Sequence, residues 1–127
     1  MVKSKQSDRH KNRKYVKNAL LNFYNIEVRV RVLRSFTKCQ HCDKLYSDTV
    51  HHKKGRQGVI YLDKDSIREE LLLYSPQLVE IIQEHFIDSI PLLVYSGNLM
   101  AVNNVCHRYI HDNPAISYEK GWMSKRV

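Results

Sequence analysis

The stretch "DTVHHKKGRQG", Asp48 to Gly58, decides how this chain is read. Two adjacent histidines, His51 and His52, close a short apolar run, and a basic loop with Gly55 and Gly58 follows. A strand sends neighbouring side chains to opposite faces. Adjacent histidines therefore serve one site only where a strand ends and the backbone turns. The competing reading is a solvated polar turn. A neutral imidazole, titrating near pH ~6.5, is available as a base at pH 7 and as a metal ligand.

Two further motifs lie on either side. Upstream, Cys39 and Cys42 have the Cys-x-x-Cys spacing that places two thiolates on one tetrahedral ion; one pair alone does not close a four-ligand zinc site. Downstream, "VCHRYIH" (Val105 to His111) puts His107 and His111 four apart, on one face of a helix, a common metal-binding pair.

Around these motifs the chain reads as α+β. Residues 1 to 10 are polar and expected to be mobile. Lys11 to Tyr24 reads as a helix, with Tyr15, Ala19 and Phe23 recurring every four residues and a basic face carrying Lys14 and Lys17. In Glu27 to Phe36, valines alternate with Arg29 and Arg31, which favours a strand over a helix leading into the cysteines. Leu45 to His52 is a strand or hairpin arm. Asp65 to Tyr74 is a helix capped by Asp65 or Ser66, and Ser75 followed by Pro76 starts another, running to Phe86. Ile90 to Tyr95 is an extended, buried stretch, Ser96 to Asn98 a turn, and "LMAV" a short strand. Asn103 or Asn104 caps a last helix that Pro114 ends. Trp122 is expected to pin the tail.

Composition narrows the partners. Among 127 residues, 21 are Lys or Arg against 13 Asp or Glu, a formal charge of +8. Such a domain is suited to a polyanion, nucleic acid above all. No apolar run approaches the ~20 residues of a membrane span, and the basic N-terminus lacks the apolar segment of a signal peptide. A cytoplasmic location follows as the expectation. Three cysteines, an odd number, fit a metal or structural role better than disulfides.

The order of these pieces resembles the HNH endonuclease family, the His-Me finger or ββα-metal nucleases: a Cys pair, a strand ending in "HH", Asn98, then "CH" opening a helix. "VHHKKGR" and the ending "CHRYIHDNPAISYEKGW" are similar to small HNH proteins of tailed bacteriophages and prophages. The resemblance implies a ββα-metal core, with the first strand carrying His51 and His52 and the helix carrying His107 and His111. It implies that His52 is the general base and that Asn98 braces the loop and orients it. It makes His51 and His107 ligands of one catalytic divalent ion, with His111 a third ligand or a phosphate contact. The ion is expected to be Mg²⁺, with Mn²⁺, Ni²⁺ or Zn²⁺ also compatible with imidazole. Lys53, Lys54 and Arg56 of the loop, with Lys14, Lys17, Arg29, Arg31 and the terminal "SKRV", are expected to bind the backbone of DNA rather than read bases. By family chemistry the products carry 5′-phosphate and 3′-hydroxyl ends.

Two features depart from the family. Relatives with zinc have a second Cys-x-x-Cys; here Cys106 precedes His107 as expected, but Asn103 stands where its partner would be. Cys39, Cys42 and Cys106 thus form an incomplete structural zinc set, with His41 or water as a fourth ligand, or else packed thiols without metal. Residues 63 to 97 form a helical insert into the nuclease domain (36 to 127), which follows the basic arm and helix (1 to 35). The insert's acidic residues, Glu69, Glu70, Glu80, Glu84 and Asp88, are expected to lie away from DNA, and its apolar residues to form a local core or a surface for a phage protein partner. Two rival functions share these motifs: a non-catalytic nucleic-acid-binding or phage packaging module, and an RNase.

Overall fold

A computed structural model describes the chain from residue 5 to residue 125, with side chains from residue 13 onward. The expected roles of residues 1 to 4 and of Arg126 and Val127 fall outside it. The N-terminal part forms one helical rod: α1 (Lys5–Phe23) runs through a π-helical turn (Tyr24–Val28) into α2 (Arg29–Ser35). The strand expected at Glu27 to Phe36 is therefore helical. Val28 and Val32 are a helical i,i+4 pair as much as alternate strand positions, and both are buried in line with Leu20 and Tyr24. Burial of that stripe outweighs the few tenths of a kcal/mol per residue by which β-branched side chains disfavour helix. The stripe runs along Leu20 and Tyr24 rather than Tyr15, which is 65% exposed.

Two antiparallel ribbons follow. β1 (Thr49–His52) pairs with β4 (Leu99–Val102), with His51 opposite Met100 and His52 opposite Leu99. β2 (Val59–Tyr61) pairs with β3 (Ser89–Pro91). The first strand is shorter than expected, since Leu45 to Asp48 contribute only an isolated bridge between Tyr46 and Lys38. β2 was not expected: its three residues sit in a loop bounded by Gly58, and Ile60 becomes a strand residue through pairing with Ile90. Beyond Pro91 the expected extended stretch turns, as the Val94 and Tyr95 amides both bond to the Pro91 carbonyl.

Between the ribbons run α3 (Lys64–Leu71) and α4 (Pro76–His85). Asp63, two residues before the first expected cap, caps α3 by accepting from the Ser66 amide at 2.8 Å. Ser75 caps α4, with Pro76 in its first turn. After β4, Asn103 caps α5 (Asn104–Asp112). Pro114 opens α6 (Pro114–Glu119) rather than only ending its predecessor, because a first-turn proline loses no hydrogen bond.

The β1–β4 ribbon separates two apolar clusters. On one side Val50, Leu99 and Ala101 meet Leu20, Tyr24, Val28 and Val32 of the rod and Leu78, Ile82 and Ile90 of the insert. On the other, Met100 and Val102 meet Cys39, Cys106 and Ile110, with Trp122 against them. The insert and the N-terminal rod thus share a single core with the ribbon, and that core runs across residue 35. Arg31 fastens the rod to the insert, donating to the Leu73 carbonyl at 2.7 Å and lying over the Tyr74 ring. No helix among the described residues is long and apolar enough to cross a membrane.

Candidate functional site

The ribbon ends at His52, and its alternation sets the site. His51 points toward α5, its ring 5.2 Å from those of His107 and His111. His52 points the other way, toward the rod, its ring 5.2 Å from Tyr24. Both nevertheless line one cleft of about 360 Å³, with Tyr24, Asn25, Arg29, Arg56, His107 and His111 also in its walls. The strand end lets two opposite faces open onto the same space.

His51, His107 and His111 bring one nitrogen each to within 4.8 Å of one another. The Trp122 carbonyl lies 2.6 Å from His51 Nε2, and a carbonyl only accepts, so Nε2 carries the hydrogen. Nδ1 is left with its lone pair, buried and without a partner among the described residues. A buried polar atom with no partner is costly, and in a histidine whose other nitrogen is held by a carbonyl it is the arrangement of a metal ligand. The Nε2 atoms of His107 and His111 stand 3.1 Å apart. Two nitrogens on one ion roughly 2.1 Å away stand about 3.0–3.4 Å apart at octahedral to tetrahedral angles. The donor set fits a metal ion. Burial lowers the His51 pKa to about 4, helped by the neighbouring His107 and His111, so the ring is a neutral ligand at pH 7. His107 is shifted down for the same reasons, burial first and His111 second.

His52 is held in the same tautomer, which also suits a base. Its Nε2 donates to the Leu93 carbonyl at 3.0 Å, which leaves Nδ1 to accept a proton. Burial lowers its pKa to about 4, with Arg56 and His51 adding to the shift.

Asn98 is buried, and every polar atom of its side chain is used. Its Oδ1 accepts from the Lys54 amide at 2.7 Å, and its Nδ2 donates to the carbonyls of Gly55 at 2.9 Å and Leu92 at 2.8 Å. Its own carbonyl takes the Lys53 amide at 2.9 Å. One residue thereby ties the loop after β1 to the segment that holds His52. Gly55, at φ +83°, makes the turn in that loop where a side chain would be strained.

The expected cationic residues divide. Arg29 and Arg56 line the cleft, Arg56 lying 5.2 Å over the Tyr24 ring. Lys14 and Lys17 are exposed on α1, and Lys53 and Lys54 flank the cleft's loop half-buried. Arg31 is not brought to the cleft; it is the fastening to the insert described above.

The sulfur atoms of Cys39, Cys42 and Cys106 also converge within 4.8 Å, a second set compatible with a metal ion. The Leu45 amide, 3.4 Å from the Cys42 sulfur, and the Lys44 amide lower the Cys42 thiol to about 7. Burial, then the two neighbouring thiols, pushes Cys106 up to about 12. His41 does not complete this set: among the described residues it is absent from the converging donors, and its ring packs on Trp122 and Tyr109. Asn103 is occupied as the cap of α5 and bonds to the Tyr46 carbonyl.

Three site residues had no motif to announce them. Tyr24 reads from sequence as a core-edge aromatic and becomes a wall of the cleft through the π-helical turn, a feature common near functional sites. Leu93 and Trp122 act through backbone carbonyls, which no side-chain pattern encodes. No family model matches this chain, and neither a curated protein nor a solved structure matches it significantly.

Proposed function

We propose that this protein is a metal-dependent endonuclease of the HNH type, hydrolysing phosphodiester bonds in DNA, with β1, β4 and α5 as a ββα-metal core. The observation that carries the reading is one tautomer, Nε2–H, fixed by a backbone carbonyl on two adjacent residues that face opposite ways. His51 converges with His107 and His111 and has its Nδ1 lone pair unused, while His52 lines the same cleft with its own Nδ1 left to accept a proton. A solvated turn does not bury both rings and fix each by a backbone carbonyl.

His51, His107 and His111 would hold one divalent ion, Mg²⁺ by preference, with Mn²⁺, Ni²⁺ or Zn²⁺ alternatives. The chemistry such an ion supplies is neutralisation of charge on the scissile phosphate and the departing oxygen. His52 Nδ1 accepts the proton of the attacking water. The Leu93 carbonyl, facing Nε2–H, stabilises the imidazolium so formed and fixes the ring's aim. Asn98 keeps the loop and that carbonyl in place. Arg29 and Arg56 bind the phosphates flanking the cut, and Lys14, Lys17, Lys53 and Lys54 extend the contact without reading bases. The three thiols would hold a structural ion, Zn²⁺ by the chemistry of thiolate donors.

The test is conversion of supercoiled plasmid to nicked circles or linear DNA by the purified protein with each ion, against EDTA. We expect cleavage with at least one ion and none in EDTA. DNA binding without cleavage in any ion would replace this reading with the binding or packaging module. Cleavage of structured RNA in preference to plasmid would replace the substrate.

A further inference from the structure

The insert contains a carboxylate that its acidic surface conceals. Glu70 of α3 is 6% exposed. Its Oε2 accepts from the Ser96 amide at 2.7 Å, and its Oε1 from the Ser96 hydroxyl at 2.5 Å. The Tyr74 hydroxyl bonds to Oε2 as well and lies 3.0 Å from the Val94 carbonyl. Among the described residues no Lys, Arg or His forms an ion pair with it. A buried carboxylate is costly unless its hydrogen bonds compensate. Three donor groups face this carboxyl group, the amide and hydroxyl of Ser96 and the hydroxyl of Tyr74, whose single proton is shared with the Val94 carbonyl.

What these bonds hold is the segment from Leu92 to Asn98. Leu93 supplies the carbonyl that aims His52, Val94 and Ser96 are the two points gripped by the Tyr74–Glu70 pair, and Asn98 braces the loop after β1. A Cβ on Gly97 would stand 2.7 Å from the Tyr95 ring, so a side chain there would have to push that ring aside.

We propose that Glu70 is a positioning residue of the catalytic site: α3 reaches through this carboxylate to fix the segment that aims His52 and seats Asn98. The catalytic part of this inference rests on the reading of His52 as the base. Glu70 touches neither ion nor substrate and acts on the loop alone.

Glu70→Gln keeps the size and turns one acceptor into a donor that faces the donors of Ser96 and Tyr74. In the full-length protein we expect kcat for plasmid nicking to fall roughly 10- to 100-fold, the scale of a small misplacement of a catalytic group. KM should stay within about twofold, and Mn²⁺ affinity should not change, since the imidazole ligands lie on β1 and α5. Hydrogen exchange of the Lys54 amide, which bonds to Asn98, should rise about tenfold or more while the Ile110 amide of α5 keeps its protection. Ser96→Ala, which removes one donor and leaves the carboxylate, should show the same pattern more weakly. A folded Glu70→Gln protein with wild-type kcat and wild-type Lys54 exchange would overturn the proposal. A loss shared equally by kcat, Mn²⁺ affinity and exchange at both amides would overturn it too, in favour of a general stabilising role. If the wild-type protein cleaves nothing, the nuclease reading fails by itself, and the Lys54 exchange result alone decides whether Glu70 braces this loop.

Discussion

The imidazole triad and the thiol triad look alike as donor sets, yet the fold treats them differently. Each brings three ligand atoms within 4.8 Å. The imidazoles grade from buried His51 through half-buried His107 to exposed His111 and open onto a cleft walled by arginines. Cys39 and Cys106 are instead buried among Val102, Met100 and Ile110 and line no part of that cleft. A site that must admit a water and a phosphate keeps an open side, whereas a structural site closes around its ion. On the proposed reading, this difference in surroundings makes the imidazoles the catalytic set and the thiols the structural one.

That contrast can be broken most forcefully at the base. His52→Ala should lower plasmid nicking by about 10²- to 10⁴-fold, the usual range for a general base, without weakening DNA binding in a filter or anisotropy assay. Cys106→Ala in the same assay should stay within about tenfold. Equal losses in both proteins would erase the distinction between the triads.

Acid should be the next largest effect, and it should act through the histidine side. In metal-free protein His51 and His52 titrate near about 4, against about 6.5 in the unfolded chain. Between those values the unfolded state binds more protons, so stability falls as pH drops from about 6.5 to about 4 and is flat above. The loss amounts to up to about 3 kcal/mol for each ring. Urea midpoints in EDTA at pH 7 and pH 4.5 measure it. A flat profile would mean that the rings are not held neutral by burial.

Cys39→Ser should cost roughly 1–3 kcal/mol of stability with Zn²⁺ present and remove the thiolate charge-transfer absorption of a Co²⁺-loaded sample. His51→Ala should leave that absorption intact. Its loss in both variants would mean that the triads hold ions cooperatively rather than separately.

The smallest effect belongs to the cleft's arginines. Arg56→Ala should weaken DNA binding similarly on all sequences and reduce the salt slope by about 1. Arg31→Ala should leave that slope alone and lower the unfolding temperature, because its guanidinium is spent on Leu73 and Tyr74.

The parts of the site that rest on local chemistry were legible in the sequence. The paired histidines at a strand end, the i,i+4 pair on a capped helix and the Asn98 turn all need only short-range spacing, and the structure brings them to one place. What escaped was non-local. The valines after Glu27 fit both a strand and a helix, and burial of Val28 and Val32 in the core shared with the β1–β4 ribbon decides for helix. β2 is three residues long and exists through its pairing with β3. Glu70 stood among acidic residues expected to lie away from DNA, and its partner Ser96 lies 26 residues away, beyond any periodicity. His41 was a candidate fourth ligand by proximity in sequence alone.

The most direct measurement is a Mn²⁺ titration by calorimetry of the wild type, His51→Ala and His52→Ala, with plasmid nicking read on the same samples. We expect one ion to bind the wild type and His52→Ala with similar affinity, His51→Ala to bind it at least about tenfold more weakly, and nicking to be lost in both variants. An unchanged affinity in His51→Ala, or nicking retained by His52→Ala, would contradict the division of these two neighbours into ligand and base.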